Sequence, residues 1–332
     1  MMNYAIKDCI LKAELEDVKH LLLSLGLNVE DVTETIMIYD EDKLIGTGSI
    51  AHNIIKMIGV LPSYQGLNIT SLIMTELTQR LYQKGIHKFF LYTQPKSINL
   101  FVNFDLNLVV QTPHMAMFEN KLKPISEYLN QLKKQIPNKH GSRASLVMNC
   151  NPMTNGHLYL IEKASKENED VLLFLVEENR SVFTFDIRFN IVKEAIKHLD
   201  NVILIPSGPY IISSITFPTY FLKSLSLASK VYMQLDATIF NQYFMPILEI
   251  DKRYVGHEPK DPMTHAYNQT MKEILKNKLV IIERITYEEN VISASYVRKL
   301  AIEKRFDDIK KIVPNSTYKF LISPQGQAIF HD

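Results

Sequence analysis

The pattern of apolar and polar positions divides the chain into two parts of different character. In the first part, helices are predicted over 12–25, 69–84 and 97–104, and strands over 35–39, 44–49, 53–60, 89–93 and 108–118. After residue 142, short apolar runs alternate with amphipathic segments. The strands predicted there are 144–149, 171–176, 201–205, 230–235 and 279–283, and the helices are 157–167, 187–198, 215–227, 263–276 and 294–303. Such alternation predicts an α/β fold, with a parallel sheet wrapped by helices.

A break in this pattern marks the expected domain boundary. Residues 125–136 have the spacing of a short amphipathic helix, and the polar segment 137–142 contains both Pro137 and Gly141. We therefore predict one domain over 1–124, a linking helix and turn over 125–142, and a second domain over 143–332. Two domains are the ordinary expectation for a chain of 332 residues.

Composition narrows the class of protein without identifying it. The net charge is +1, with 46% hydrophobic and 22% charged residues, so the sequence predicts no broad basic face for nucleic acid. No apolar run approaches the roughly 20 residues that cross a bilayer, and the N-terminus has no secretory pattern. Cys9 and Cys150 are the only cysteines, which does not suggest a disulfide framework. A cytoplasmic protein that does not enter the membrane is expected.

The segment from Asn149 to His157 carries the strongest chemical indication. It follows an apolar run that predicts a buried strand, and it opens a predicted helix. Asn151 and Pro152 form a stiff turn, and Gly156 lets the backbone approach a ligand closely. A helix start presents unpaired N–H groups, and His157 can donate a hydrogen bond to a charged oxygen. The segment therefore predicts a phosphate site.

A second segment, near the end of the chain, can complete such a site. Ser293 is a suitable N-cap, and Ser295 and Arg298 are three residues apart, which puts them on one side of a helix. A guanidinium can bind phosphate oxygens with two donors. Each segment alone is more often an ordinary cap or turn. Both together, near the two ends of an alternating β/α pattern, are far more specific.

The two motifs, Thr154-x-Gly156-His157 and 292–298, resemble the T/H-x-G-H and I-S-S/T-x-x-R signatures of the nucleotidylyltransferase superfamily. Further stretches narrow the resemblance to the citrate lyase ligase family, over nearly the whole chain. Those stretches are 149–152, 176–178, 207–214, 216–223, 253–259 and 267–268. The resemblance implies a Rossmann-like parallel α/β nucleotidylyltransferase domain in the second half.

The same resemblance implies an ATP-dependent reaction. Acetate would attack the α-phosphorus of ATP, giving acetyl-adenylate and pyrophosphate. The thiol of the phosphoribosyl-dephospho-coenzyme A group on the citrate lyase acyl carrier subunit would then take the acetyl group and release AMP. Mg²⁺ is expected to bridge the phosphates, with ligands that the sequence leaves unassigned. Such chemistry needs positioning and charge stabilisation rather than a protein nucleophile.

The residues of the two motifs receive roles from this resemblance. His157 and Thr154 would donate to phosphate oxygens as charge builds, while Arg298 and Ser295 would hold the β- and γ-phosphates. Asn151, Pro152, Gly156 and Ser293 would shape the nucleotide site. All eight lie in the two quoted segments.

Other residues outside the motifs have competing interpretations. Lys223 would reach phosphate or carrier, or be a solvated helix lysine. Arg253 would bind phosphate or carboxylate, or pair with Glu249 or Asp251. Asp236 is either a Mg²⁺ ligand or an ordinary aspartate at a strand end.

Two further residues are not assigned to catalysis. Cys150 is expected to be a small buried residue and not a nucleophile. Arg188 is set aside, because Ile187 interrupts its match to a family Asp-Arg position.

The first half resembles an acetyltransferase of the GNAT type, which implies an α+β domain. The resemblance rests on the strand 55–60, the loop 62–66 and the helix after it. In the family's phosphate loop, Q/R-x-x-G-x-G/A, this chain has Gln65, Asn68 and Thr70. Side chains at the last two positions would crowd a pyrophosphate. This half is therefore expected to recognise the coenzyme A-like arm or the carrier, or to be only a packing domain.

Three other functions fit the same residues less completely. One is an adenylyl- or cytidylyltransferase acting on a small phosphorylated substrate. Another is a GNAT acetyltransferase whose second half serves only for binding. The third is a catalytically silent adaptor for the carrier.

Overall fold

The computed structural model describes residues 4–178, 181–222, 226–258, 261–283, 286–287 and 290–330. The chain divides into two compact units, Met1–Glu127 and Tyr128–Asp332, and the division falls inside the helix Ile125–Lys133. Each unit has its own sheet and its own buried core.

The first unit is a seven-stranded sheet with two helices. Its elements are β1 (Ala5–Asp8), α1 (Lys12–Ser24), β2 (Glu34–Asp40), β3 (Lys43–Ala51), β4 (Ile54–Val60), α2 (Ile69–Gln83), β5 (Phe90–Thr93), β6 (Leu106–Gln111) and β7 (Ala116–Asn120). The strand order is β1-β2-β3-β4-β5-β7-β6, and every neighbouring pair is antiparallel except β4 and β5. The sheet is therefore mixed, as an α+β domain requires.

Helix α2 packs closely on strand β3. Ile73 and Leu77 of the helix are fully buried, and a Cβ added at Gly48 would come within 2.5 Å of Ile73 Cγ2. Glycine at this position lets the helix approach the sheet, because any side chain there would overlap the helix. Asn68 is the N-cap residue of helix α2, at φ 62°, and it is exposed, so the segment aligned with the family's phosphate loop lies at the start of this helix.

Two predictions for this unit need correction, and one strand was missed. The strand predicted over 108–118 is two strands, β6 and β7, joined where Thr112 N donates to Met115 O at 2.8 Å. The helix predicted over 97–104 is a 3₁₀ helix over Pro95–Leu100, which begins at a proline. Strand β1 was not predicted, because its four residues are mostly exposed and lack an apolar run.

The second unit carries a five-stranded sheet surrounded by helices. Its elements are α3 (Ile125–Lys133, which begins in the first unit), β8 (Arg143–Met148), α4 (Asn155–Glu167), β9 (Asp170–Leu175), α5 (Phe185–Ala195), β10 (Val202–Pro206), α6 (Leu227–Ile239), α7 (Met245–Ile247), β11 (Lys252–Gly256), α8 (Pro262–Leu275), β12 (Leu279–Ile282), β13 (Thr286–Tyr287), β14 (Asn290–Val291), α9 (Ala294–Ile302), α10 (Phe306–Ile312), α11 (Asn315–Ile322) and α12 (Pro324–Ala328). The order β10-β9-β8-β11-β12 is parallel throughout. Ligands of such sheets bind at the carboxyl ends of the strands.

One strand of this sheet was assigned to the wrong segment. The predicted strand 230–235 lies within helix α6, and the fourth strand in sequence is β11. The run Val231-Tyr232-Met233 suits a buried helix as well as a strand. Ser226 favours the helix, because its side chain accepts a hydrogen bond from Ser229 N at 3.1 Å and caps α6. Within the described part of the chain, no helix is long and apolar enough to cross a membrane.

Candidate functional site

A cavity of about 800 Å³ opens at the carboxyl ends of β8, β11 and β12. Its lining includes Met148, Gly256 and Ile282, which end or nearly end these strands. Most of the predicted site residues line this same cavity, namely Asn151, Thr154, Gly156, His157, Arg253, Ser293, Ser295 and Arg298. The structure thus brings together segments that are more than a hundred residues apart.

Two predicted site residues are placed otherwise. Pro152 is buried and follows a cis peptide bond, and it does not line the cavity. Lys223 lies outside the described residues.

Thr154 and His157 form the start of helix α4. Thr154 is the N-cap, and its Oγ1 accepts a hydrogen bond from His157 N at 3.4 Å. The backbone N–H of Thr154 donates to His157 Nδ1 at 3.0 Å, and Thr154 Oγ1 lies 3.0 Å from the same ring nitrogen. A ring nitrogen that accepts a hydrogen bond carries no proton, so the neutral imidazole has its N–H at Nε2. The cap therefore fixes both the position and the tautomer of His157.

Arg298 connects the second motif to the first. Its Nη1 donates to the backbone carbonyl of Asn151, in the turn between β8 and α4. Burial lowers the pKa of the Arg298 guanidinium below its ordinary value, but arginine stays charged at neutral pH. A positive charge is thus held beside the turn that precedes helix α4.

Gly156 lies where the two motifs meet. A Cβ added at this residue would be 3.6 Å from the backbone oxygen of Ile292 and 3.5 Å from Thr154 Oγ1. These are ordinary contacts, so the fold would tolerate a methyl group there. Any requirement for glycine at this position must therefore come from a ligand rather than from the protein.

The start of helix α9 has the predicted cap. Ser293 Oγ accepts a hydrogen bond from Tyr296 N at 3.2 Å, and it lies 3.1 Å from Ser295 Oγ. Ser295 is exposed, and it lines the cavity together with Arg298. Ser295 and Arg298 therefore line the same cavity, and their joint role toward one ligand stays a prediction.

Arg253 occupies a different part of the cavity wall. It is 1% exposed, on β11, with its guanidinium carbon 4.3 Å from the ring centre of Phe240 and 5.7 Å from that of Tyr267. Its Nη2 donates to the Tyr267 hydroxyl at 3.4 Å. The expected pairing with Glu249 or Asp251 does not occur, since the described contacts pair those carboxylates with Lys133 and Lys139.

Asp236 does not lie at a strand end, and its carboxylate is too buried to reach a metal ion in the cavity. It lies in helix α6 and is 1% exposed. Its oxygens accept hydrogen bonds from Ile212 N at 2.6 Å, from Thr216 Oγ1 at 2.7 Å and from the Tyr267 hydroxyl. Burial raises the pKa of this carboxyl, partly opposed by the charge of Arg253. Asp236 therefore organises a buried network behind Arg253.

Cys150 is a buried residue, as expected. It is 1% exposed, and burial raises the pKa of its thiol to about 12. A thiol with such a pKa is protonated at neutral pH and is a poor nucleophile.

Comparisons with known proteins cover both units. The family model of the citrate lyase ligase C-terminal domain matches residues 143–321, and that of the GNAT acetyltransferase family matches residues 8–104. A citrate (pro-3S)-lyase ligase from Klebsiella pneumoniae is 33% identical over 322 residues, which cover 94% of this chain and 93% of that protein. The ligase of the same name from Escherichia coli (strain K12) is 34% identical over 93% of this chain and 90% of its own length. This chain belongs to the citrate lyase ligase family.

Membership in this family makes the protein an acid–thiol ligase and implies that it uses ATP. The second unit is also similar to a phosphopantetheine adenylyltransferase of Streptococcus gordonii, at 30% identity over 42% of this chain and 92% of that protein. The predicted fold class is confirmed, with a GNAT-like mixed sheet followed by an all-parallel sheet related to nucleotidyltransferases. Among solved structures, Escherichia coli ElaA aligns with 36% of this chain and 100% of its own, at 11% identity and a TM-score of 0.32.

Arg188 is a residue of this ligase whose importance the sequence did not indicate. It is fully buried, and it donates to the backbone carbonyls of Asn149 (2.8 Å), Val176 (2.7 Å), Glu178 (2.9 Å) and Phe183 (3.0 Å). These carbonyls follow the ends of β8 and β9, so one side chain holds together the turns at the mouth of the cavity. In the sequence, the only indication was that Arg188 nearly matches a family Asp-Arg position, with Ile187 inserted between the two residues.

Tyr267 and Asn268 were quoted as part of the ligase resemblance but received no role. Both line the cavity from helix α8. Asn268 Nδ2 donates to the carbonyl of Gly256 at 2.9 Å, which holds the helix to the end of β11. Tyr267 joins Arg253 to Asp236, a connection that depends on three separate elements and has no local sequence pattern.

Proposed function

We propose that this ligase acetylates the thiol prosthetic group of the citrate lyase acyl carrier subunit, using ATP and acetate through acetyl-adenylate. The observation that carries the proposal is the hydrogen bond from Arg298 to the carbonyl of Asn151. Through it, the helix start at His157 and the cation of the second motif face one cavity, at the edge of the sheet where ligands of parallel sheets bind.

The first step would form a bond from an acetate oxygen to the α-phosphorus of ATP. The bond from that phosphorus to the bridging oxygen would break, and pyrophosphate would leave with the electron pair. His157 would donate from Nε2 to a phosphate oxygen as negative charge builds. Arg298 and Ser295 would hold the β- and γ-phosphates, and the other polar groups of the cavity would orient the nucleotide.

The second step would transfer the acetyl group to the carrier. The thiol sulfur would attack the acetyl carbon, the thiol proton would be lost, and AMP would leave with the former acetate oxygen. No protein nucleophile is needed, which agrees with the protonated, buried Cys150. The thiol would come from the phosphoribosyl-dephospho-coenzyme A group of the carrier.

Mg²⁺ is expected to enter with ATP and to offset the charge of its phosphates. In the described part of the chain, no group of three or more His, Cys, Asp or Glu residues is arranged to hold a metal ion. We therefore assign the ion no protein ligand.

The proposal is tested by measuring pyrophosphate release from ATP with and without acetate, and with and without the thiol form of the carrier. Wild-type protein should require acetate for release and should need the carrier for repeated turnover. His157→Ala should lose about a hundred- to a thousand-fold in rate. Pyrophosphate release that does not depend on acetate would contradict the proposal.

A second candidate function is adenylyl transfer to a phosphopantetheine-like substrate, because the Streptococcus gordonii relative is a phosphopantetheine adenylyltransferase. The same assay separates the two functions by their products. Acetyl transfer yields AMP, whereas adenylyl transfer leaves the nucleotide joined to the product. Finding a dinucleotide-type product and no AMP would favour the second candidate.

A further inference from the structure

The cavity is lined by only two side chains of lysine or arginine among the described residues, Arg253 and Arg298. Arg298 lies beside the turn that leads into helix α4. Arg253 lies elsewhere, because its strand pairs it with Ser145, three residues before the end of β8 at Met148. At about 3.3 Å per residue, this places its backbone roughly 10 Å deeper along the sheet. The two arginines therefore line the cavity from different elements, β11 and helix α9.

Arg253 has unused hydrogen-bond donors in a buried place. Among the described residues, its Nε and Nη1 have no hydrogen-bond partner. Its Nη2 has only the long contact to Tyr267. Leaving a charged donor unpaired inside a protein destabilises the fold, because the donor loses its hydrogen bonds to water and gains none in return. A buried cation with two free donors indicates an anionic ligand that the protein is built to receive.

Three carboxylates of this region, those of Asp236, Asp261 and Glu258, each accept hydrogen bonds from other residues, and Glu258 Oε1 accepts from Asp261 N at 3.1 Å. Asp236 is occupied by Ile212, Thr216 and Tyr267. Asp261 Oδ1 accepts from Thr264 N at 2.8 Å, where it caps helix α8. The positive charge of Arg253 thus lies against two aromatic rings and beside a hydrogen-bonded network, while its buried Nε and Nη1 have no partner among the described residues.

One face of helix α8 lines the cavity with two methionines and a tyrosine. Met263, Tyr267 and Met271 follow one another at intervals of four residues, so they form one face of helix α8. All three are buried and line the cavity. A short alkyl group would be accommodated against this face, whereas a phosphate would require more hydrogen-bond donors than one guanidinium supplies there.

We propose that Arg253 and the face of α8 formed by Met263, Tyr267 and Met271 bind the acid substrate, a short unbranched aliphatic carboxylate. This proposal rests on the function proposed above and supplies its second binding site. One carboxylate oxygen would accept hydrogen bonds from Arg253, and the other would face the α-phosphorus. The guanidinium would offset the repulsion between the carboxylate and the triphosphate, and the alkyl group would pack on the methionines.

The first experiment compares Arg253→Met with Arg298→Met in the full-length protein, using acetate-dependent pyrophosphate release. Arg253→Met should raise the KM for acetate roughly 10- to 100-fold, the range for loss of a charged hydrogen bond, with the KM for ATP changed less than about threefold. Arg298→Met should show the opposite pattern. Equal acetate KM values in wild type and Arg253→Met would overturn the proposal.

A second variant is informative even if Arg253→Met fails to fold. Met271→Ala should enlarge the acid site and shift the preference from acetate towards butyrate at least about tenfold in kcat/KM, the scale expected for two additional buried methylene groups. Leu160→Ala is the matched control, because Leu160 lines the cavity from helix α4. An unchanged preference in Met271→Ala, or the same shift in both variants, would contradict the assignment.

A direct measurement of acetate binding tests the proposed acid site separately from the proposed function. Broadening of the acetate methyl resonance by wild-type protein, and its loss in Arg253→Met, would support the acid site even if no pyrophosphate were released. If wild type released pyrophosphate with acetate but both proteins broadened the resonance equally, the function would stand and the acid site would be refuted. Displacement of acetate by equimolar inorganic phosphate would also overturn the assignment to a carboxylate.

Discussion

The cap of helix α4 allows the roles of Thr154 and His157 to be separated. We expect Thr154→Val, which keeps the shape but removes the hydroxyl, to affect stability and catalysis to different extents. The substitution removes the N-cap hydrogen bond that Thr154 Oγ1 accepts from His157 N, and Thr154 is only 1% exposed. Loss of such a cap costs about 1 kcal/mol, within a range of about 0.5–2 kcal/mol.

The expected catalytic effect is smaller than that of removing the imidazole. The N–H that donates to His157 Nδ1 belongs to the backbone of Thr154, and it remains in the valine variant. The tautomer with a proton on Nε2 is therefore preserved, and we expect a rate loss below about tenfold. His157→Ala removes the proposed donor itself and should lose about a hundred- to a thousand-fold.

Two assays check this reasoning. Urea unfolding should show the loss of about 1 kcal/mol for Thr154→Val, with stability restored by Thr154→Ser, which keeps the cap. Acetate-dependent pyrophosphate release at saturating ATP gives the rates. If Thr154→Val is folded and yet as inactive as His157→Ala, the hydroxyl donates directly to the phosphates, as the family resemblance implied, and the expectation that Thr154 acts only by positioning His157 is refuted.

Two further predictions concern buried groups. Arg188→Met should lower the free energy of unfolding by about 3–5 kcal/mol, measured by urea unfolding, because several carbonyls around the cavity lose a buried charged donor. A loss below about 1 kcal/mol would contradict the view that Arg188 holds these carbonyls together. In a Cys9→Ser background, Cys150 should not react with a thiol reagent in the native protein at pH 8 but should react once unfolded. Burial raises its folded pKa from 9.0 to about 12, so the unfolded chain loses the proton first and stability should fall as pH rises from about 9. Cys150→Ala should lessen that fall, and an unchanged pH dependence would refute the shift.

Local patterns in the sequence were enough to predict much of the fold. Helices α2 and α4 were predicted within two residues, because their apolar positions recur at helical spacing and their ends have clear breaks. The alternation after residue 142 was enough to predict a parallel sheet. The error at 230–235 arose because a short apolar run fits a buried helix and a buried strand equally well.

From the sequence, the candidate site was predictable only in those parts whose residues lie within one short segment. The Thr154 to His157 turn and the cap at Ser293 each lie within one short segment, and both have the expected form. The surroundings of Arg253 were not predictable, because Phe240, Tyr267 and Asp236 come from other elements. The expected partners on its own strand or beside it, Glu249 and Asp251, pair with other residues instead.

By itself, the sequence determined the class of fold, the family and the two motifs, since these depend on residue types at short and regular spacings. The tertiary structure alone decided which residues share the cavity and which buried charges lack a protein partner. The physical reason is that burial and hydrogen-bond satisfaction depend on what the rest of the chain packs against a side chain. Arg188 and Arg253 show the difference. Both are buried arginines, but the fold gives Arg188 several carbonyl acceptors and leaves two donors of Arg253 without a partner among the described residues.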